Sequence, residues 1–481
     1  MTDVLSSAPV SVPLRPLGPL GPLARWRAGK WAALPVLLAG TCLIVLDFFI
    51  VNVAMASMQH ELHAGATAVE WVVAGYGLTF AVFLLAAGRL GDRVGRRRMF
   101  AAGVAMFTAA SLACGVAPNA EVLVLARLVQ GVGGAMISPS VLALLGTLWT
   151  GADRAKAIGI YATVMGLAAA GGQLVGGVLL QVDVAGLGWR TVFLINVPVG
   201  IAVLAVVRRV VPESRAGVVA RVDVVGLVLA TLALTALVLP LVDGRAHGWP
   251  AWSLASLAAS PVLFAEFVWW QRRAARRGEV PLVDPAWFRS RVFSVGMLTQ
   301  FAFWAGQASY FLVLALYLQL GHGLSALSSG LVFSILAAAF LLTSMQASKL
   351  VAGFGRTVVV EGALVLATGH VATVLAVADG GGHVLALAPG LLLTGAGMGL
   401  CLAPITTLVL GGVDPQRAGA VSGLLSTMQQ VGNAVGVAVI GVLFFGRTYS
   451  GGFEVSTAAL AVLLLGVAGC ARCLPLSPRP R

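Results

Sequence analysis

The sequence is poor in charge. Asp, Glu, Lys and Arg together make up 10% of its 481 residues, against about 25% in ordinary soluble domains. A water-exposed surface cannot be built from so few ionised groups, so soluble, secreted, fibrous and disordered classes are excluded. Lysine is scarcer still. Lys30, Lys156 and Lys349 are followed by Trp31, Ala157 and Leu350, which leaves no GxxxxGK[ST] phosphate loop and no ATPase of that type. There are five cysteines. Cys42, Cys114 and Cys401 lie inside apolar runs and cannot form an extracellular disulfide framework. Cys470 and Cys473 make one isolated CxxC, weak ground for metal or redox use. His60-Glu61-Leu62-His63 resembles a zinc motif, but HExxH needs its second histidine where Ala64 stands. No GxSxG nucleophile elbow occurs. No enzyme, cofactor or metal site is expected. No signal peptide is expected either: residues 1–30 hold Pro13, Pro16, Pro19 and Pro22 among basic residues, without an apolar core.

Hydrophobic residues are abundant, at 59%, with a mean hydropathy of +0.96. Runs long enough to span a bilayer fall at about 32–56, 70–88, 99–117, 121–142, 157–180, 191–208 and 223–242. Seven more fall at about 252–270, 292–318, 327–347, 358–378, 383–408, 419–445 and 455–470. The fold class is therefore an all-α membrane protein with fourteen transmembrane helices. An even number puts both termini on one side.

The net charge of +13 could signal nucleic acid or the positive-inside bias of membrane proteins. Placement decides. Of the 31 Lys and Arg residues, 27 fall in the tails and in alternate loops on one side. The opposite loops hold Arg190, Arg245 and Arg447, and Arg127 lies inside a span. Both termini are expected in the cytoplasm of a multi-pass cell-membrane protein, and no nucleic-acid partner is implied.

The chain also repeats itself. AGRLGDRVGRRRM (87–99) aligns without gaps to ASKLVAGFGRTVV (347–359), pairing Arg89 with Lys349, Gly95 with Gly355 and Arg96 with Arg356. Arg154-Ala155-x-Ala157 is echoed by Arg417-Ala418-x-Ala420. The offset near 260 exceeds the length of six spans by about 80 residues, which an inserted helix pair supplies. The expected organisation is a disordered cytoplasmic tail (1–31), a six-helix bundle (32–208), an inserted pair (209–290), a second six-helix bundle (291–472) and a cytoplasmic tail (473–481). Repeated bundles with a site at their interface are the architecture of secondary transporters.

Charges inside spans are functional candidates. Asp47 lies about 22 Å from the cytoplasmic face at 1.5 Å per residue, and Arg127 about 20 Å from it in a 30 Å core. Opposite charges at one depth should pair or share an aqueous cavity. Asp47 is read as a carboxylate whose proton affinity changes with its distance from Arg127, the requirement for proton coupling. In the loop GRLGDRVGRRR (88–98), Gly88, Gly91 and Gly95 permit a tight turn, and Asp92 can pair with Arg93, Arg96 or Arg97. In span five, GLAAAGGQLVGG (166–177), Gly166, Gly171, Gly172, Gly176 and Gly177 allow close helix approach beside Gln173. Gln300, Gln307 and His370 are polar residues within spans that could line a cavity or join helices.

These residues resemble the major facilitator superfamily, and within it the fourteen-span drug:proton antiporters of the EmrB/QacA type. The likeness covers about 35–470. GRLGDRVGRRR matches the loop signature GxLxDRxGRxx. LARLVQGVGGA (125–135) matches the fourth-span motif with Arg127, Gln130 and Gly131 in place. GWRTVFLINVPVG (188–200) and DVVG (223–226) are also typical. The resemblance implies two bundles alternating access to a central cavity, proton coupling at Asp47 and Arg127, and a gating role for Asp92 and its arginines. Two departures stand out. In the first-span motif LDFFIVNVAMA (46–56), Asn52 is kept while Phe49 replaces a threonine and Ala56 a proline, which reshapes the expected cavity. In span five, Gln173 replaces the proline of GPxxGG.

The resulting expectation is proton-driven export of small hydrophobic compounds such as drugs, antibiotics or toxic metabolites. A dedicated exporter of one self-made metabolite, lipid or peptide is the alternative, and a membrane sensor or intramembrane enzyme a distant third. Partners are a small-molecule substrate, protons and the lipid bilayer. A single chain of this architecture encloses its own pathway, so a monomer is expected.

Overall fold

A computed structural model of the chain describes residues 30–215, 223–279, 281–378, 383–411 and 418–474. The tail expected over 1–31 lies outside the described residues except for its end. Lys30–Ala32 form a 3₁₀ turn, and Trp31 packs on Trp149 with ring centroids 5.8 Å apart. Most of the second tail, from 475 onward, lies outside them as well. Leu474 is buried, and its carbonyl accepts from Arg356 at 2.7 Å.

The first half contains α1 (Ala33–Glu61), α2 (Ala66–Val94), α3 (Arg96–Gly115), α4 (Ala120–Leu148) and α5 (Gly151–Val182). A single turn, α6 (Thr191–Leu194), runs into α7 (Asn196–Val210). The inserted pair is α8 (Val224–Ala246) and α9 (Ala251–Arg276). The second half contains α10 (Arg291–Leu316), α11 (Ala326–Phe354), α12 (Thr357–Ala378), α13 (Ala388–Gly411), α14 (Ala418–Phe444) and α15 (Tyr449–Ala471). Among the described residues thirteen helical stretches, with Gly188–Val210 as one, are long and apolar enough to cross a membrane. The fourteenth is α5, bent by 43° between Lys156–Ala169 and Gly171–Val182. Glycine is a common cause of such kinks, and Gly171 and Gly172 stand at the bend. It forms without a proline in α5.

Side-chain caps set several helix starts. Asn119 Oδ1 accepts from Val122 N at 2.9 Å, Ser325 Oγ from Ser328 N at 3.2 Å and Thr448 Oγ1 from Gly451 N at 3.3 Å, satisfying amides that a helix leaves open. The repeat is visible in the backbone. Gly95 ends α2 at φ +120° and Gly355 ends α11 at φ +56°, so the aligned glycines make the same helix break in positive-φ conformations that other residues resist.

Packing repeats in the same register. α3 lies on α4 and α7, as α12 lies on α13 and α15. α2 lies on α4 and α11 on α13; α1 lies on α5 and α7, and α10 on α14 and α15. The halves then exchange partners: α5 packs on α11 and α14 on α2. The inserted α8 pairs with α9 and also touches α2 and α14, one helix from each half.

The seam between halves is closed at one end. Away from the arginine-rich loops, a Cβ on Gly177 would come within 2.8 Å of Ala326 O and Leu327 Cα, and one on Gly330 within 2.8 Å of Gln173 O. Gly77 faces Ala434, and Gly441 faces the Glu70 carboxylate. A single apolar core runs through both halves there and continues within the second half to Val351 and Val359 at its arginine-rich end. At the arginine-rich end the first half has its own core, around Phe100, Phe107 and Trp149, separate from the cluster of Phe293, Val409 and Leu424 in the second. Gly159, Gly353 and Gly423 lie toward that end of α5, α11 and α14. Among the described residues, and apart from the glycine's own stretch of helix, no atom lies within 4 Å of where a Cβ on any of the three would stand.

Candidate functional site

Five helices of the first half converge on Asp47. Its Oδ2 accepts from Arg127 Nη1 at 2.5 Å, and its Oδ1 from Gln130 Nε2 at 2.8 Å and Asn196 Nδ2 at 2.9 Å. Asp47 is 0% exposed and Arg127 1%. Arg127 also donates from Nε to Val72 O at 2.9 Å and from Nη1 to Gln130 Oε1 at 2.6 Å. Its guanidinium lies 4.2 Å from the Tyr76 ring centroid. Gln130 Nε2 reaches Ser111 Oγ at 2.8 Å.

This pattern meets the condition for keeping an ion pair out of water. Desolvating two charges is costly and is offset only where further hydrogen bonds satisfy both groups. Gln130 serves each ion with the atom it needs, its amide nitrogen for the carboxylate and its oxygen for the guanidinium. Local sequence makes the approach possible. Gly131 sits against Tyr76 O, where a Cβ would come within 2.5 Å, so α2 and α4 close enough for Arg127 to reach Val72 O.

Gly172 and Gly176 of α5 abut α1: a Cβ would come within 2.9 Å of Phe49 Cβ and 2.8 Å of Ile50 Cγ1, respectively. Gly177 does the same against α11. Gly166 takes no part in this close approach, since its nearest neighbour is Phe340 at 3.9 Å. Phe49 is buried edge-on to Phe311 of the second half at 5.1 Å, so it fills the seam between halves. Asn52 turns back on its own helix, donating to Phe48 O and Phe49 O.

Gln300, Trp304, Gln307 and Phe311 recur along one face of α10, and Gln300 and Gln307 are buried there. His370 is elsewhere, stacked on Tyr310 at 4.3 Å inside the second half. The seam beside α5 forms a narrow crevice lined by Ala169, Gln173, Phe311, Phe333, Phe340 and Met398, among others. His370 is not among its lining residues.

In the loop after α2, Asp92 pairs with Arg96 four residues on, at 2.9 Å. A Cβ on Gly88 would stand 3.8 Å from Pro139 Cβ of α4, an ordinary contact distance, and Arg93 is exposed. Glu213, just past α7, accepts from Arg97 N at 3.0 Å and lies 3.5 Å from Arg97 Nε. Arg96 N donates to Ser214 O at 2.9 Å. The segment after α7 thus caps the N-terminus of α3, and Gly95 has no side chain to collide with Glu213.

In the sequence Asn196 is one of many span polar residues, and nothing there singles out Tyr76, Ser111 or Glu213. Asn196 does lie in GWRTVFLINVPVG, but no spacing rule ties α7 to α1. Asp223, which opens the DVVG motif, has a role that the motif did not spell out. Its carboxylate accepts from Trp270 Nε1 and Gln271 Nε2 at 2.9 Å, Gly226 N at 2.8 Å and Leu282 N at 3.4 Å. It binds α8, α9 and the connection to α10 together. Arg89 of α2 donates to Pro281 O in the same connection.

The sequence profile of the Major Facilitator Superfamily matches residues 37–437. The probable actinorhodin transporter of Streptomyces coelicolor is 38% identical over 87% of this chain and 73% of its own length. Multidrug resistance protein Stp of Mycobacterium tuberculosis is 34% identical over 84% of this chain and 73% of its own. The tetracenomycin C resistance and export protein of Streptomyces glaucescens is 34% identical over 88% and 77%. Among solved structures, an auto-inhibited POT family peptide transporter shares the fold, with a TM-score of 0.68, 15% identity, and coverage of 94% of this chain and 98% of that one.

Proposed function

The chain belongs to the Major Facilitator Superfamily, and from that premise we propose that it exports small, largely hydrophobic compounds in exchange for protons. The observation carrying this reading is the Asp47–Arg127 pair, a titratable carboxyl sealed in the first half and held by charge-assisted hydrogen bonds from Arg127, Gln130 and Asn196. A proton on Asp47 cancels its charge and leaves Arg127 with Val72 O and Gln130 Oε1 as its neutral hydrogen-bond acceptors. The hold of α4 on α1 then weakens. α1 also carries Phe49 and Ile50 against α5 and the second half, so a shift at Asp47 is felt at the seam between halves. Release of the proton restores the pair.

The positive-inside rule puts the arginine-rich end, and with it both termini, in the cytoplasm. In that orientation this state is closed outside and parted inside, ready for cargo from the cytoplasm or inner leaflet. The halves 32–208 and 291–472 act as two lobes around the pathway, with 209–290 as an inserted pair. One chain in the bilayer suffices. Asp92 and Arg96, with Gly88, Gly95, Arg93 and Arg97, form the gating loop, rigidified by Glu213. Since Arg127 neutralises Asp47, cationic cargo has no surplus negative charge to meet at this site.

The membrane potential is worth about 2.3 kcal/mol per charge per 100 mV, so one proton per cargo molecule sustains roughly a 50-fold gradient per 100 mV. The test is expression in an efflux-deficient host, with a broad compound panel and an uncoupler. Wild type should extrude compounds only while the proton gradient lasts, and Asp47→Asn should not. Uphill export by Asp47→Asn would remove the role assigned to that carboxyl. A second reading, export of a single metabolite, is favoured by the names of relatives tied to one antibiotic each, actinorhodin and tetracenomycin C. It predicts protection against one compound class in the same panel.

A further inference from the structure

Gln173 is 1% exposed, and among the described residues neither its side-chain oxygen nor its nitrogen has a hydrogen-bond partner. A buried carboxamide in that state carries an unmet demand for one donor and one acceptor. Its backbone cannot swing away. On one side Gly172 lies against Phe49 of α1; on the other, Gly330 of α11 lies against Gln173 O. The side chain is thereby held in the seam crevice, with Phe311, Phe333, Phe340, Leu336 and Met398. Phe311 and Phe333 stack at 5.5 Å with planes 11° apart. Among the described residues, no charged side chain lines this crevice.

We propose that Gln173 is a specificity-determining residue, and that the crevice takes uncharged aromatic compounds bearing an N–H or O–H donor beside a carbonyl acceptor. A carboxamide presents an acceptor and a donor side by side, so its complement is an edge with the same two functions in opposite order. Aromatic rings on the walls favour a flat, apolar ligand body. An ion in this crevice would lose its hydration without a counter-charge. The crevice is narrow in this state, with about 10 Å³ open to the centre of a water-sized sphere, room for roughly one water. A bicyclic ring therefore enters as α5 and α11 part. The inference rests on the export reading, for which it names the cargo class.

The test is saturable binding to the full chain in lipid nanodiscs, read by ligand fluorescence. The probes are 2-quinolone, whose lactam offers adjacent N–H and C=O, and N-methyl-2-quinolone, which keeps the ring and carbonyl but lacks the donor. Wild type should bind 2-quinolone about tenfold more tightly, the worth of roughly one hydrogen bond. Gln173→Met should erase that preference, since 2-quinolone loses both hydrogen bonds and N-methyl-2-quinolone only the one to its carbonyl, and an unchanged thermal unfolding midpoint certifies the variant's fold. Gln173→Pro, which restores the family's residue, should behave alike. Equal binding of the two probes by wild type, no binding of either, or an unchanged preference in both variants overturns the inference. An equal fall for both probes in both variants does so too, since it marks a structural role. Uncoupler-sensitive export is measured separately, so export without probe discrimination defeats this inference alone. Discrimination without export defeats the export reading.

Discussion

Asp47 and Arg127 do not respond alike to losing each other. Arginine stays charged at any pH a protein tolerates, so Asp47→Asn leaves a buried cation held by neutral acceptors alone. A carboxyl can take up a proton, so Arg127→Gln leaves a group able to neutralise itself while Gln130 and Asn196 remain in reach. Breaking a buried pair from one side costs about 3–5 kcal/mol. Asp47→Asn should fall in that range and Arg127→Gln below it. The double variant Asp47→Asn/Arg127→Gln should recover part of the loss, read as thermal unfolding of purified protein. If Asp47→Asn proves as stable as wild type, Arg127 draws its support from Val72, Gln130 and Tyr76 rather than from the carboxylate.

Helix pairs carry the next level of control. α5 and α11 touch where neither Gly177 nor Gly330 has a Cβ, and the gap between them there is too small for one. Gly177→Leu should wedge this end open. In a cysteine-free background carrying Ser328→Cys, labelling from that side should rise several-fold while export falls. Unchanged labelling would mean that the contact does not hold the seam. The inserted pair depends on Asp223 in a different way. Partial burial pushes its carboxyl up, and the donors Gly226, Trp270, Gln271 and Leu282 more than offset this, holding it below the ordinary value of 3.8. A depressed value in the folded state means the clamp contributes fully above the ordinary carboxylate value and is lost only as pH falls below it. Asp223→Ala should cost about 2 kcal/mol, the scale of hydrogen bonds to a charged group. It should also speed tryptic cleavage at the exposed Arg276, Arg277 and Arg289. Protection of wild type at those sites should not change between neutral and mildly acidic pH.

At the scale of the whole molecule, the halves repeat their helix contacts but not their chemistry. The offset of 260 that pairs Gly95 with Gly355 sets Gln307 opposite Asp47. The second half therefore has an amide where the first has a carboxyl, and the titratable charge sits on one lobe. α8 touches α2 and α14 across one side of the seam, while the glycine contacts of α5 and α11 lie on the other. The inserted pair thus covers one flank and leaves the crevice flank, with the cargo-selecting Gln173, to α5 and α11, backed by Phe311 of α10 and Met398 of α13.

Much of this was legible in the residues. Span lengths, the arginine bias, the repeat at Gly95 and Gly355 and the shared depth of Asp47 and Arg127 follow from bilayer thickness and from the cost of burying charge. These are local or one-dimensional properties, and one chain of letters carries them in full. The surroundings of Asp47 were not legible, because Gln130 and Asn196 reach it, Tyr76 backs Arg127 and Ser111 backs Gln130 from four other helices whose rotations are settled by packing. Gly166 shows the same limit: it shares a motif with Gly172 and Gly176 yet lies more than a turn away from the close contact. His370, polar within a span, stacks on Tyr310, a pairing that no spacing in the sequence indicates. Sequence alone determined that the chain crosses the membrane as two related lobes with one buried ion pair. Tertiary packing decided which donors hold that pair, which end of the seam is shut, and that the amide of Gln173 is left facing the crevice without a partner among the described residues.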